Sequence, residues 1–340
     1  TLQRTAIRAA AELCVGRRRQ TSVNTPLGNV CLASSLDKRT RWNLRKYGKA
    51  PYKIAVIHGG PGAGGEMAPI ARELASGWGV LEPFQTATSL EGQIEELKTV
   101  LEKNGDKHKS SICDMRPNLR FGATKIEDFR MPKIQRTFEH LPVTLIGFSW
   151  GAWLSFIFAA NYPSFVKKLI LIGSGPYEEK YVARIRETRL NRLGEEDRTE
   201  VKSVIEILNN PTTDEDKKTA FVRFGALFSK ADAYDPIICE SDESEVIDCR
   251  VDIFQSVWKD AVELRRSGKL LELGKHIKCP VVAIHGDYDP HPAEGVQKPL
   301  SAILKSFRFI RLKNCGHIPW IEREAKVKFY EILNEELHHA

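Results

Sequence analysis

Two periods alternate along this chain. Short runs of β-branched and apolar residues read as buried strands. Each gives way to a stretch whose apolar positions recur every three or four residues, as on one face of a helix. YKIAVIHGG from Tyr52, GVLEPF from Gly79, VTLIGF from Val143, VKKLILIGS from Val166, CPVVAIHGD from Cys279 and SFRFIRLKN from Ser306 are the strands. EMAPIARELASG, SLEGQIEELKTVLEKN (opened by a capping serine) and WGAWLSFIFAANYP (stopped before its proline) are helices, and IEREAKVKFYEILNEEL closes the chain as another. Strands that are apolar throughout, rather than at every second position, must be covered on both faces. The pattern therefore predicts an α/β fold with a mostly parallel sheet and helices on both sides.

Two stretches break the alternation. From residue 176 to 273 helical spacing takes over, in EEKYVARIRETRLNRL, EDRTEVKSVIEILNN, EDKKTAFVRFGALFS and VDIFQSVWKDAVELRRSG, with polar joints between. This is expected to be a helical insertion above the sheet. Residues 105–140 are polar and weakly periodic where a short connection would suffice, so they read as an atypical insert. The expected organisation is a basic leader (1–41), a first core part (42–175, containing the insert), a helical cap (176–273) and a second core part (274–340).

Charge changes the picture in one respect. The formal net charge is +7 over 340 residues, which invites a nucleic-acid partner. Yet 12 of the 51 basic residues and only two of the 44 acidic ones fall in residues 1–53, leaving acids in excess over the rest. The positive charge belongs to the leader, whose Arg-rich, acid-poor composition superficially resembles a transit peptide and is read as a poorly ordered tail. No nucleic-acid partner is expected, and no apolar run is long enough to span a membrane. The seven cysteines are scattered, with no CxxC pair and no Cys/His ligand cluster. They suggest reduced thiols in a cytoplasmic protein, with no metal and no cofactor.

The chemistry gathers at strand ends. Gly147-Phe-Ser149-Trp-Gly151 matches G-x-S-x-G between a strand and a helix, where a sharp turn would hold a serine hydroxyl up at a helix N-terminus. A serine needs a base, and the base needs an acid to orient it. His317, in NCGHIPW, follows the last strand. Asp287 and Asp289, in HGDYDPHP, follow the strand before it. Asp287 abuts Gly286 and would brace the turn, whereas Asp289 stands where a loop can reach back to His317, so Asp289 is favoured. His276, His285 and His338 are read as ordinary surface histidines. An oxyanion hole would come from the amide of Trp150 and from Gly60 in the glycine-rich loop HGGPG, which lacks the GK[ST] ending of a phosphate-binding loop.

With these parts in order, residues 42–104 and 141–337 resemble an α/β-hydrolase fold protein. HGGPG and GFSWG are similar to the proline iminopeptidase branch of that superfamily. The G-x-x-D spacing of the superfamily's acid loop falls on Gly286 and Asp289. The resemblance implies a Ser149–His317–Asp289 triad that cleaves an ester or amide of a small molecule or short peptide through an acyl-enzyme. Two features depart from the branch. EPFQTATS stands where a DQRG-type motif is usual, and Phe148 stands where a glycine often precedes the nucleophile. Free-amine recognition would fall to cap carboxylates, for which Glu178, Glu179, Glu195 and Glu196 are available. A carboxylesterase, another small-molecule hydrolase such as a C–C or lactone hydrolase, and a non-catalytic binding protein on the same fold are the alternatives. Oligomeric state has no signature in the sequence.

Overall fold

The computed structural model describes residues 44–104, 141–210, 213–237 and 250–338. The leader 1–41, the insert 105–140 and five of the seven cysteines lie outside the described residues. Seven strands form one sheet: β1 (Leu44–Tyr47), β2 (Tyr52–Ile57), β3 (Gly79–Pro83), β4 (Val143–Phe148), β5 (Val166–Ile172), β6 (Val281–Gly286) and β7 (Phe307–Leu312). Their spatial order is β1-β3-β2-β4-β5-β6-β7, parallel apart from the antiparallel edge strand β1. The helices are α1 (Ala68–Leu74), α2 (Leu90–Lys103), α3 (Trp150–Asn161), α4 (Val182–Arg192), α5 (Glu195–Asn209), α6 (Asp214–Asp232), α7 (Val251–Arg266), α8 (Lys269–Glu272), α9 (Glu294–Ile303) and α10 (Ala325–His338). No described helix is long and apolar enough to cross a membrane.

Successive side chains on a strand point to opposite faces, and that period divides the core in two. Ile54, Val56, Ile146, Phe148, Ile170, Ile172, Val282 and Ile284 face one side, where Ile70 and Leu74 of α1 and Phe329 and Leu333 of α10 cover them. Ala55, Ile57, Leu145, Leu169, Leu171, Val281 and Ala283 face the other. There α2, α3 and the apolar stripes of the helices between β5 and β6 cover them. Burial on both sides explains why the central strands carry apolar residues at nearly every position. Ser89 caps α2, its hydroxyl accepting the Gly92 amide at 3.1 Å.

The parallel register sets the carboxyl ends of the central strands level. Ile57 pairs with Gly147, Phe148 with Ile172, Ile172 with Ile284 and Gly286 with Leu312. The loops that leave these ends therefore meet along one edge of the sheet, where this class of fold places its ligands. The turn from β4 into α3 runs hard against its neighbours. A Cβ on Gly151 would lie 2.2 Å from the Ile57 carbonyl oxygen, and one on Gly147 would lie 2.3 Å from that of Gly151. Gly151→Ala should therefore lower stability by about 1–3 kcal/mol through overpacking. Gly77→Ala, where nothing lies within 4 Å of the added methyl, should change it by less than about 0.5 kcal/mol. Urea denaturation of the two variants checks the contrast.

Candidate active site

Ser149 occupies the turn itself, with φ 52° and ψ −114°, a conformation an L-residue adopts only under constraint. Its amide donates to the Ile172 carbonyl at 2.9 Å, extending the ladder one step past the strand, and its own carbonyl accepts the Ala152 amide. The turn is held from both sides, so the strain persists. The hydroxyl makes no cap onto α3 and is directed instead to His317, whose Nε2 lies 3.1 Å from Ser149 Oγ.

The other nitrogen of that ring, Nδ1, lies 2.8 Å from Asp289 Oδ2. An ionised carboxylate only accepts, so His317 Nδ1 carries the proton and Nε2 is left to accept from the serine. All three groups are buried. Burial alone would push the Asp289 carboxyl up, but His317 beside it and the hydrogen bond from the His291 ring hold it well below the usual carboxylate range. Burial works against charging His317 as well. The Asp289 charge and hydrogen bond outweigh it, leaving His317 above its ordinary 6.5. Asp287 takes a different place, its Oδ1 accepting the Cys315 amide at 3.2 Å. It ties the two loops together and does not reach the histidine.

His291 was not picked out from the sequence. Its ring Nδ1 and backbone amide both donate to Asp289 Oδ1, at 2.7 and 2.9 Å, so Asp289 is gripped through both oxygens. Burial depresses His291 below 6.5 against the pull of Asp289, which keeps it neutral. His285, expected at the surface, is instead buried in β6, and its Nε2 donates to the His291 carbonyl at 2.8 Å. A histidine inside an apolar strand needed a partner, and the acid loop provides one. Asp289, His291 and His317 also offer ligand atoms within 4.8 Å of one another, and these are the described residues that could hold a metal ion. The same atoms already bond to each other as acid and imidazole.

The loop after β2 is positioned just as closely. His58 Nδ1 donates to the Gly59 carbonyl at 2.8 Å, and Nε2 accepts the Gln85 amide. Gln85 then bonds the His58 carbonyl through Nε2 and accepts the Trp150 indole N–H at 2.8 Å through Oε1. Burial lowers the His58 pKa to about 4, so the ring stays neutral. This chain couples the loop carrying Gly60 (φ +55°) to the first residue of α3, the two places from which oxyanion donors were expected. Gln85 belongs to the EPFQTATS stretch, whose departure from the family motif concealed it.

A third set of contacts reaches in from the helices above. The Asp232 carbonyl at the end of α6 accepts the His317 amide at 2.9 Å. The Asp232 carboxylate is gripped by Arg189 of α4 through two bonds of 2.7 and 2.6 Å, with Arg189 wholly buried. Buried Glu322 accepts the amides of Gly316, Tyr234 and Asp235 at 2.8–3.0 Å. Beside Ser149 a narrow cavity is lined by Trp150, Trp153, Trp258, Arg265 and His291. Its volume of about 10 Å³ has room for one water molecule at most. Of the carboxylates considered for binding an amine, Glu178 pairs with Lys180, Glu179 pairs with Arg265, and Glu195 and Glu196 are exposed at the start of α5. None of the four lines the cavity.

Residues 123–324 match the model of the alpha/beta hydrolase fold, more than half of the chain. The chain belongs to the alpha/beta hydrolase fold family. The match spans Ser149, Asp289 and His317. Among solved structures it is similar to VinJ, at 17% identity and a TM-score of 0.54, covering 87% of this chain and 94% of that one. A monoacylglycerol lipase from Paleococcus ferrophilus (16% identity, TM-score 0.49, 86% of this chain and 97% of that one) is also similar. So is an esterase from Thermogutta terrifontis (14%, TM-score 0.49, 87% and 92%). At these identities the likeness is one of fold. No curated protein matches the sequence.

The environments of the two buried imidazoles predict separate titrations by NMR. The His317 ring should protonate with a midpoint above 6.5 and His58 only near about 4. Asp289→Asn removes the charge that raises His317, so its midpoint should fall while that of His58 stays in place.

Proposed function

We propose that this protein is a serine hydrolase that cleaves a carboxylic ester or related acyl bond through an acyl-enzyme. The observation that carries this reading is the unbroken hydrogen-bond chain from Asp289 through His317 to the hydroxyl of a serine held on a strained turn. Ser149 Oγ attacks the substrate carbonyl carbon as His317 Nε2 takes its proton. The amides of Trp150 and Gly60 receive the negative charge that develops on the carbonyl oxygen. His317 passes the proton to the leaving group as the bond to it breaks. Water then repeats the sequence, with His317 as base, and releases the acid. Asp289 holds the tautomer and stabilises the imidazolium, and His291 holds Asp289. No step passes through a metal or cofactor.

In this reading residues 176–273 act as a cap. Its helices α4–α7 cover the face of the sheet that carries the cavity, and Arg250 at the base of α7 donates its amide to the Gly62 carbonyl of the HGGPG loop. The cavity is narrow, so in this reading the cap shifts to admit a small-molecule substrate. A proline iminopeptidase would need a carboxylate facing the substrate's ammonium group. The charged lining side chain here is Arg265, which favours an ester or other acyl substrate over a free-amine peptide. A binding protein on this scaffold has no use for the strained serine, whose conformation costs about 1–3 kcal/mol.

Hydrolysis of p-nitrophenyl acetate tests the assignment. Asp289→Asn should lower kcat by about 10⁴-fold and Asp287→Asn by less than about tenfold. The reverse ranking would hand the acid role to Asp287. Because only neutral His317 acts as base, kcat/KM should fall about tenfold per pH unit below a midpoint above 6.5. A profile flat from pH 5 to 8 would contradict the role of His317.

A further inference from the structure

One partly buried carboxyl beside the site takes no part in the proposed reaction. Glu66 closes the glycine-rich loop that follows β2, and its side chain folds back onto the start of that loop. Glu66 Oε2 fills the space that a Cβ on Gly59 would occupy, lying 2.8 Å from that position, with the Phe148 ring next to it at 3.0 Å. The same Phe148 ring packs on the His317 ring, with 4.9 Å between centroids. Burial pushes the Glu66 carboxyl up to about 7, although His317 and a hydrogen bond from the Gly59 amide both pull it down. Its Oε1 is buried with no hydrogen-bond partner. Burying a carboxyl oxygen unpaired costs stability, so Glu66 does not serve as packing.

The polar groups around Gly59 indicate what it holds. The peptide between His58 and Gly59 is gripped at its carbonyl by Gln85 Nε2, at 3.1 Å, and at its amide by Glu66. The next peptide is gripped at its carbonyl by the His58 ring, at 2.8 Å, and its amide is that of Gly60. Two consecutive glycines leave this backbone free to turn, so side-chain contacts set the direction of the Gly60 amide. We propose that Glu66 is a positioning residue: by holding the Gly59 amide it completes the set of contacts that aims the Gly60 amide at the developing oxyanion. This role rests on the hydrolase reading. Because Glu66 acts through Gly60, its effect belongs to the transition state and not to substrate binding.

Glu66→Gln retains an acceptor of the same shape, whereas Glu66→Ala leaves the Gly59 amide unpaired. Amide hydrogen exchange of the full chain, followed by NMR, should show Gly59 protected in wild type and in Glu66→Gln. In Glu66→Ala it should exchange at least about tenfold faster, with the Ser149 amide unchanged. On p-nitrophenyl acetate, Glu66→Ala should lower kcat about 10–100-fold with KM within about twofold, and Glu66→Gln should recover most of the loss. Unchanged Gly59 exchange in Glu66→Ala would overturn the proposal, and so would an unchanged kcat, a loss confined to KM, or a loss that Glu66→Gln does not recover. A Glu66→Ala chain that exchanges faster throughout would also overturn it, by making Glu66 a brace of the fold. The exchange measurement involves no turnover, so its failure leaves the hydrolase reading intact. A wild type that neither hydrolyses the ester nor takes up a fluorophosphonate removes that reading and this role with it.

Discussion

Everything at this site depends on the hydrogen bond between His317 Nδ1 and Asp289 Oδ2, at 2.8 Å. It joins loops that leave two adjacent strands, and it fixes which ring nitrogen faces a serine that leaves a third. A strand rises about 3.3 Å per residue, so a register slip of one position between β6 and β7 would carry the pair out of reach. It would also turn the alternate residues of β6 from one core to the other. The two-sided apolar packing that prevents such a slip is thus what places Asp289 and His317. Fold and site are held by the same constraint.

The His317 loop is fixed from above as well as below. Gly316 has no room for a side chain, since a Cβ would sit 2.1 Å from the Asp232 carbonyl and 2.5 Å from the Glu322 carboxylate. The helix that presents Asp232 is itself anchored by the buried Arg189 pair. Burying two charges is costly, and such a pair is better suited to fixing a geometry than to adding stability. Removal of Arg189 would leave Asp232 charged and unpaired next to the His317 loop. The helices over the sheet thereby form part of the support of the imidazole. A shift of those helices would also act on the peptide carrying His317.

Much of this was legible in the sequence because it rests on local chemistry and periodicity. The apolar runs marked the central strands, Gly147 and Gly151 marked a turn with no space for side chains, and Asp289 and His317 stood directly after strands. Elements without such a signal were missed. β1 is a four-residue edge strand reading LRKY, polar on its open side, and α9 carries Pro299 within it, which breaks the helical pattern. His285, His291, Gln85 and Glu322 escaped for another reason. Gln85 and Glu322 have partners on segments that only tertiary packing brings near, as when Gln85 meets a Trp150 indole 65 residues away, while His285 and His291 bond within the 285–291 stretch, in a turn that no periodicity announces. A buried polar residue announces itself through its partner, and the partner is visible only in three dimensions.

The central claim is that the Asp289–His317 pair activates Ser149 and no other hydroxyl. Intact-protein mass spectrometry after treatment with a fluorophosphonate, followed by peptide mapping, addresses it most directly. The account predicts one adduct per chain, on Ser149, lost in Ser149→Ala and slowed by orders of magnitude in His317→Ala. Equal labelling of wild type and Ser149→Ala, or an adduct mapped to another residue, would contradict it.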